Sequence, residues 1–320
     1  MTKKTLVSVI LPCLNEKKTI ERCITWAKQG LRKLAQRYKS EIIVVDNGST
    51  DRSRSLARRA GAKVVVEKRR GYGSAYKAGL AASHGTYIII GDSDGTYDFR
   101  QIPRFIRELE KGADLVLGSR LTGTVSPGAM PFTHRYLGNP ILTSLLNIFY
   151  ARRLSDSQTG FRAFTKRVSK ILNLQSNGME FASEMIVKAI YHQLNISEVP
   201  IRYFRRSGNS KLLPLSDAWR HIKFLILYTP TYAFIIPGLV FLVIDPYIGI
   251  QLVMLGVFAK VYTNKQLNLP SGPLARFLIS HLTVERLFIA GVILLLVPEF
   301  RLIGVQLIFT SFFYGLLKES

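Results

Sequence analysis

The sequence Tyr87-Ile-Ile-Ile-Gly-Asp-Ser-Asp-Gly-Thr-Tyr-Asp98 decides how the rest of the chain is interpreted. Its first four residues, Tyr87–Ile90, are aromatic or β-branched and carry no charge. Such a run is typical of a strand that is buried on both faces of a sheet. Gly91 ends the run, and carboxylates follow at Asp92 and Asp94. The pattern predicts acids at the carboxyl end of a central strand, where open α/β sheets bind their ligands.

The two acids of this turn can hold a hard divalent cation, because such ions prefer oxygen ligands. Asp92 and Asp94 are separated by one residue, and Gly95 permits a sharp turn behind them. An isolated Asp-x-Asp is equally typical of a solvated turn after a strand. The choice between the two interpretations depends on the rest of the chain.

Two earlier strands also end in polar residues. Residues 6–11 form an apolar run that leads into a loop with Glu16, and residues 41–45 form a second run that leads into Asp46. Because parallel strands share one carboxyl edge, we expect Glu16, Asp46, Asp92 and Asp94 to converge there.

The remaining patterns predict an α/β domain with a mostly parallel, Rossmann-like sheet and helices on both faces. Further strands are predicted at residues 63–66, 114–118 and 198–201, and helices at residues 19–38, 71–84, 102–110 and 179–191. Gly71-x-Gly73 lacks the third glycine and the later acid of a dinucleotide-binding fingerprint. Glu184 lies on the last helix and is better explained by structure than by catalysis.

The charge and cysteine content indicate which classes of partner and which cellular compartment to expect. The 320 residues include 44 basic and 21 acidic ones, which gives a formal charge of +23 and indicates anionic partners such as nucleic acid, anionic lipid or phosphorylated substrates. No nucleic-acid-reading motif is present, so we expect no nucleic-acid partner. The cysteines, Cys13 and Cys23, do not suggest a disulfide framework or a zinc site and are interpreted as buried, reduced thiols in a cytosolic domain.

Six short motifs, in order along the chain, resemble a known family. Four of them resemble the family 2 glycosyltransferases of the GT-A fold: Pro12-x-x-Asn15-Glu16, Val45-Asp46-Asn47-Gly48-Ser49-Thr50-Asp51, Asp92-Ser93-Asp94 and Gly118-Ser119-Arg120. Two more are similar to the polyprenyl-phosphate branch, which contains the dolichyl-phosphate mannose synthases and bacterial lipid-phosphate glucosyltransferases: Asp156-x-x-x-Gly160-Phe161-Arg162 and Gly208-x-Ser210-Lys211-Leu212. The resemblance covers residues 5 to 230.

The resemblance implies a site for a nucleotide sugar. By this match Pro12, Leu14 and Glu16 line the base pocket, and Asp46 binds the base or ribose. Asp92, Ser93 and Asp94 hold the sugar diphosphate, with Asp92 and Asp94 as ligands of Mg²⁺ or Mn²⁺. The family can place a glutamine ligand where this chain has Thr96, so Thr96, Asp98 or water completes the metal shell.

The resemblance also implies an acceptor site, with Asp156 as the catalytic residue. A lipid phosphate is already largely ionised at neutral pH, because the second pKa of a phosphate monoester is about 6. Asp156 is therefore expected to orient the acceptor or metal rather than to act as a strong base. The groups expected to contact the acceptor phosphate are Arg120, Arg135, Arg205, Ser210 and Lys211; solvated surface cations are the alternative for the basic ones.

Two parts of the chain suggest contact with a membrane. Residues 141–150 are apolar on several faces, which fits either a core helix or an amphipathic helix in the membrane interface. Residues 224–244 carry no charge, and further apolar runs follow at residues 247–259, 287–297 and 302–317. We expect a helical transmembrane region after a domain boundary at 215/216, with four short crossings and both termini cytoplasmic; two crossings or re-entrant hairpins remain alternatives. The basic loop 260–286 is placed in the cytosol.

Together these features predict an inverting glycosyltransferase that is integral to the cytoplasmic membrane, with its catalytic domain in the cytosol. It would move a hexose from a nucleotide sugar, of the UDP-glucose or GDP-mannose class, to a polyprenyl (undecaprenyl or dolichyl) phosphate. A processive polysaccharide synthase is disfavoured, because the Gln-x-x-Arg-Trp segment of those enzymes is absent and the only tryptophans are Trp26 and Trp219. A non-catalytic lipid-binding scaffold is the other alternative. A homo-oligomer is compatible with the sequence.

Overall fold

The structure is a computed structural model that describes residues 5–207, 226, 228–267 and 273–319. The chain forms two compact units, Met1–Ile222 and Lys223–Ser320. The domain boundary expected at 215/216 lies outside the described residues, as do Ser210 and Lys211.

A seven-stranded sheet organises the first unit. Its strands are β1 Thr5–Cys13, β2 Tyr38–Asp46, β3 Lys63–Val66, β4 Tyr87–Ile90, β5 Leu115–Val125, β6 Arg162–Thr165 and β7 Ile196–Tyr203. Their order across the sheet is β3-β2-β1-β4-β6-β5-β7. Only the two pairs that involve β6 are antiparallel. The predicted mostly parallel α/β sheet is therefore confirmed.

Seven α-helices accompany this sheet in the described residues: α1 Ile20–Arg32, α2 Ser53–Arg59, α3 Tyr72–Ala82, α4 Ile102–Glu110, α5 Asn139–Tyr150, α6 Lys166–Leu172 and α7 Phe181–Tyr191. The helix predicted for residues 19–38 ends at Arg32, so its C-terminal part was wrong. The reason is that Tyr38 already begins β2, where it pairs with Thr5 of β1. The strand β6 and the helix α6 have no counterpart in the sequence-based prediction.

The register of the central strands defines the edge where the site forms. β1 pairs with β2 up to Cys13 and Asp46, and with β4 up to Ile10 and Ile90. Ile10, Ile43 and Ile89 are fully buried, as the uninterrupted apolar runs indicate. The segments that follow β1, β2 and β4 therefore leave the sheet at the same edge, the one formed by the carboxyl ends of these strands. Both cysteines are buried, free thiols, and burial raises the pKa of Cys13 to about 11.

The second unit is helical. Its described α-helices are α8 Ile236–Ile244, α9 Pro246–Leu267, α10 Pro273–His281, α11 Val284–Leu295 and α12 Arg301–Glu319. The expectation of a loop over 260–286 was wrong in part. The helix α9 continues through the buried Lys260 to Leu267, because no proline follows Pro246 until Pro270, and α10 occupies Pro273–His281.

Glycine allows neighbouring helices of this unit to approach to backbone contact. A Cβ atom on Gly249 of α9 would lie 2.4 Å from the backbone nitrogen of Leu242 in α8, and one on Gly304 of α12 would lie 2.6 Å from the carbonyl oxygen of Gly291 in α11. Many apolar side chains nevertheless remain exposed, including Val243 and Phe313.

By length and composition, one helix in the described part of the chain could cross a membrane, at Pro246–Asn264, and a shorter apolar helix spans Thr231–Ile244. Core helices of soluble proteins also meet these two criteria.

Candidate active site

The loops after β1 and β4 are joined at the edge of the sheet. The hydroxyl of Ser93 donates to the carbonyl oxygen of Pro12. The hydroxyl of Thr19 donates to the carbonyl oxygen of Ser93 over 2.7 Å. Leu14 is half-buried in the same loop. The structure thus brings Pro12 and Ser93 together with the acids that follow these strands.

Asp46, at the end of β2, is fully buried and held by two neighbours. Its carboxylate accepts from Arg54 Nη2 over 2.6 Å and from the backbone nitrogen of Ser49 over 3.2 Å. Burial raises the pKa of Asp46, but the hydrogen bonds from Ser49 and Arg54 outweigh it and hold the pKa below its ordinary value. Asp46 is therefore a fixed carboxylate at neutral pH.

Glu16 and Asp94 share one guanidinium group. Arg206 Nη2 lies 3.1 Å from Glu16 Oε1, and Arg206 Nη1 lies 3.1 Å from Asp94 Oδ2. The other oxygen of Asp94 accepts from the hydroxyl of Thr96 over 2.6 Å. The Arg206 Nε atom is the single buried side-chain nitrogen or oxygen without a hydrogen-bond partner among the described residues. Arg206 thus links the loop after β1 to the Asp92-Ser93-Asp94 turn.

Asp92 has different neighbours. The hydroxyl of Tyr76 donates to Asp92 Oδ1 over 3.2 Å, and the Tyr72 hydroxyl lies on the Oδ2 side of this carboxylate, next to Gly160. The pKa of Asp92 is raised to about 6 because the group is desolvated and because the Asp94 carboxylate is nearby. A bound cation would relieve this repulsion.

Asp156 forms a buried, bidentate ion pair with Arg120. Arg120 Nε lies 2.7 Å from Asp156 Oδ2, and Arg120 Nη2 lies 2.8 Å from Asp156 Oδ1. Burial raises the pKa of Asp156, but the charge and hydrogen bonds of Arg120 hold it below its ordinary value. The backbone nitrogens of Ser155 and Asp156 both donate to the carboxylate of Glu198, over 2.9 and 3.2 Å. The loop that presents Asp156 is therefore fixed from two sides.

The other residues expected at the acceptor are placed differently. Arg135 lies in a π-helical turn, His134–Gly138, with its guanidinium over the ring of Tyr136. Arg205 is exposed. Arg120 is buried and paired with Asp156, and its role as a contact of the acceptor phosphate stays a prediction.

The residues at this edge fit a hard divalent cation. Asp92 and Asp94 supply carboxylate oxygens, and Mg²⁺ is held by one or two carboxylates together with substrate phosphates and water. Asp98 is occupied elsewhere, because Arg100 Nε binds it over 2.7 Å. No cluster of three or more histidine, cysteine or acidic side chains arranged for a metal occurs within the described ranges. The remaining ligands would therefore come from the diphosphate and water.

Several site residues were not found by sequence reasoning. Arg54 and Arg206 lie among 44 basic residues, and nothing in the local pattern separates Arg206 from Arg205. Glu198 was assigned only to a strand. Tyr72 and Tyr76 belong to the Gly71–Lys77 segment, where the glycines were noted and the tyrosines were not. Their spacing of four residues, which places them on one face of a helix, was the available signal.

The mostly parallel sheet with an acidic turn at its edge is the architecture of the GT-A fold. The chain belongs to glycosyl transferase family 2, whose model matches residues 8–172. It is 42% identical over 233 residues to the low-salt glycan biosynthesis hexosyltransferase Agl6 of Haloferax volcanii, covering 72% of this chain and 56% of Agl6. It is 31% identical over 178 residues to the dolichyl-phosphate hexose transferase of the same organism, covering 56% of this chain and 76% of that protein.

A solved structure shares the fold. Glucosyl-3-phosphoglycerate synthase from Mycobacterium tuberculosis, in complex with Mn²⁺, UDP and glucosyl-3-phosphoglycerate, matches with a TM-score of 0.55 and 23% identity, covering 71% of this chain and 80% of that one. The chain spans little more than half the length of Agl6.

Proposed function

We propose that this glycosyltransferase moves a hexose from a nucleotide sugar, of the UDP-glucose or GDP-mannose class, to a polyprenyl phosphate at the cytosolic face of the membrane. The observation that carries the proposal is that the Asp156–Arg120 pair and the Asp92-Ser93-Asp94 turn belong to the same edge of the sheet, since the strands β4 and β5 that lead to them both pair with Arg162 near their ends at that edge. Similarity to a dolichyl-phosphate hexose transferase and to a dolichol-phosphate mannosyltransferase supports the proposal.

The donor would bind along the edge formed by β1, β2 and β4. Pro12, Leu14 and Glu16 would line the base pocket, and Asp46, fixed by Arg54, would accept hydrogen bonds from the base or ribose. Asp92 and Asp94 would hold Mg²⁺ or Mn²⁺, and Ser93 would keep the turn against β1. The cation would neutralise charge on the departing nucleoside diphosphate.

The acceptor phosphate would approach Asp156. One phosphate oxygen forms a bond to the anomeric carbon, and the bond from that carbon to the diphosphate breaks with its electron pair leaving on the nucleoside diphosphate. Attack from the opposite face inverts the configuration. No proton needs to be removed, because the phosphate is a dianion above its second pKa of about 6. Asp156 would orient the acceptor. The contacts to its phosphate would come from Arg120, Arg135, Arg205, Ser210 and Lys211.

Exposed apolar surface supports a membrane location. In the first unit, Ile141 is 51% exposed and Ile148 is 71% exposed on α5. In the second unit, exposed apolar side chains occur on all five described helices, and glycines allow close contact between helices, as small residues do in membranes. We infer an integral protein of the cytoplasmic membrane with its catalytic unit in the cytosol.

The test is an assay of nucleoside diphosphate release by the full chain in detergent with Mn²⁺ and undecaprenyl phosphate. UDP-glucose, UDP-N-acetylglucosamine and GDP-mannose are supplied separately, and the lipid product is identified by mass. We expect release to require both the lipid phosphate and the metal. Release that is independent of the lipid, with no glycolipid product, would contradict the proposed acceptor.

The Asp156→Asn variant tests the role of Asp156. Because it orients reacting groups, Asp156→Asn should lower turnover by about 100-fold while donor binding changes little. Asp114 is the matched control, because it is also paired with an arginine, Arg167, over 2.5 Å. Asp114→Asn should retain activity. Near-wild-type turnover in a folded Asp156→Asn variant would remove Asp156 from the mechanism.

A further inference from the structure

Most carboxylates of the cleft are paired with an arginine. Glu16 and Asp94 contact Arg206, while Asp46 and Asp156 have their own arginines, Arg54 and Arg120. Asp92 is the exception. Within the described part of the chain, no lysine or arginine nitrogen lies within 4.0 Å of the Asp92 carboxylate, which is the distance limit for an ion pair.

Tyrosine hydroxyls surround Asp92 instead. Tyr76 donates to Oδ1, and Tyr72 approaches from the side of Gly160. A Cβ atom placed on Gly160 would lie 2.8 Å from Asp92 Oδ2, 2.9 Å from the Tyr72 hydroxyl and 3.2 Å from the Tyr97 hydroxyl. Three polar groups therefore meet at one point, and a side chain at Gly160 would push them apart.

The two tyrosines are held in place by aromatic packing. The rings of Tyr72 and Tyr76 meet edge-on with centroids 4.8 Å apart, and Tyr76 stacks on Phe181 at 5.4 Å with an interplanar angle of 14°. Tyr76 is fully buried. The hydroxyl of Tyr97 accepts from the backbone nitrogen of Gly160 over 2.7 Å. The hydroxyl donors of Tyr72 and Tyr76 thus have fixed positions.

A neutral donor acts on a carboxylate differently from an arginine. It fixes the orientation of the oxygens but leaves the negative charge uncompensated, so the charge remains available to a metal ion. Such groups behind a metal ligand typically change metal affinity or activity 10- to 100-fold when they are removed.

We propose that Tyr72 and Tyr76 are positioning residues that aim Asp92 at the divalent cation of the donor. This inference rests on the proposed function, because it takes Asp92 to be a metal ligand. It adds that Asp92 faces the metal without a direct ion pair, whereas Asp94 is paired with Arg206.

The test measures Mn²⁺ binding to the full chain in detergent, without donor, from the electron paramagnetic resonance signal of the free ion. We expect Tyr76→Phe to weaken Mn²⁺ binding about 10-fold, and the Tyr72→Phe/Tyr76→Phe double variant to weaken it about 100-fold. In steady-state assays the metal concentration for half-maximal rate should rise, while the donor KM at saturating metal stays unchanged. A purely structural role would not separate these two quantities.

Tyr38→Phe is the matched control, because Tyr38 is also a buried tyrosine that donates to a carboxylate, Glu110, away from the cleft. Its Mn²⁺ affinity should equal that of the wild type. The inference is wrong if the double variant binds Mn²⁺ as tightly as the wild type and Asp92→Asn binds it more weakly. If Asp92→Asn also binds Mn²⁺ normally, the metal site of the proposed function fails instead.

Discussion

Arg206 balances two negative charges of the cleft, and this has a measurable consequence. Its guanidinium lies between Glu16 and Asp94 and leaves Asp94 less attractive to a second cation. We predict that Arg206→Met strengthens Mn²⁺ binding in the absence of nucleotide about fivefold, which corresponds to the roughly 1 kcal/mol of a partly exposed ion pair. Titration of Mn²⁺ by electron paramagnetic resonance measures the change.

The neighbouring arginine provides the control for this prediction. Arg205 is exposed, so Arg205→Met removes the same charge from the chain without altering the contacts of Asp94. Its Mn²⁺ affinity should remain that of the wild type. Weaker Mn²⁺ binding by Arg206→Met would mean that Arg206 supports the metal site rather than competing with the metal.

Single residues also show how far the sequence could predict the site. Acids at strand ends were identifiable, because parallel strands share a carboxyl edge. Their partners were not, since Arg206 reaches Glu16 across 190 positions of sequence. The Arg120–Asp156 ion pair likewise joins residues that lie 36 positions apart. Long-range charge pairing depends on the folded geometry and leaves no local pattern.

At the scale of elements, continuous apolar runs were reliable and short mixed segments were not. β4 was predicted at Tyr87–Ile90, where the structure has it. β6 has four residues, Arg162–Thr165, and begins with a buried arginine. Such a segment shows neither alternation nor an apolar run, so only its neighbours β4 and β5 identify it as a strand.

The helix α5 supports a prediction about membrane contact. Leu142 and Leu146 are buried, whereas Ile141 and Ile148 project into solvent. Burying one isoleucine side chain is worth about 1.5–3 kcal/mol, so losing part of this burial costs about tenfold in binding to a bilayer. We predict that Ile141→Gln/Ile148→Gln lowers turnover about tenfold with a polyprenyl phosphate embedded in vesicles.

Two comparisons isolate this effect. Turnover of the same variant with a short, water-soluble polyprenyl phosphate should match that of the wild type, because the sheet edge is unchanged. Val66→Gln removes another exposed apolar side chain, on β3, and should behave as the wild type with vesicles. An equal loss with both acceptors would indicate damage to the active site and not to membrane contact.

For the whole molecule, two different forces can attach the chain to a membrane, and their dependence on salt concentration distinguishes them. The formal charge of +23 attracts anionic lipid, and the helices of the second unit expose apolar side chains. Charge attraction is screened at high salt, since the Debye length falls to about 3 Å at 1 M. Apolar burial is not weakened in this way.

We therefore predict that washing isolated membranes with 1 M salt leaves the full chain in the pellet, whereas a non-ionic detergent releases it. The reason is that each apolar residue removed from lipid would expose its surface to water, at a cost of about 25 cal/mol per Å². Immunoblots of pellet and supernatant provide the measurement, with a peripheral protein held by charge as the control for complete washing. Release of the chain by salt alone would show that its basic surface, and not the helices α8–α12, holds it at the membrane.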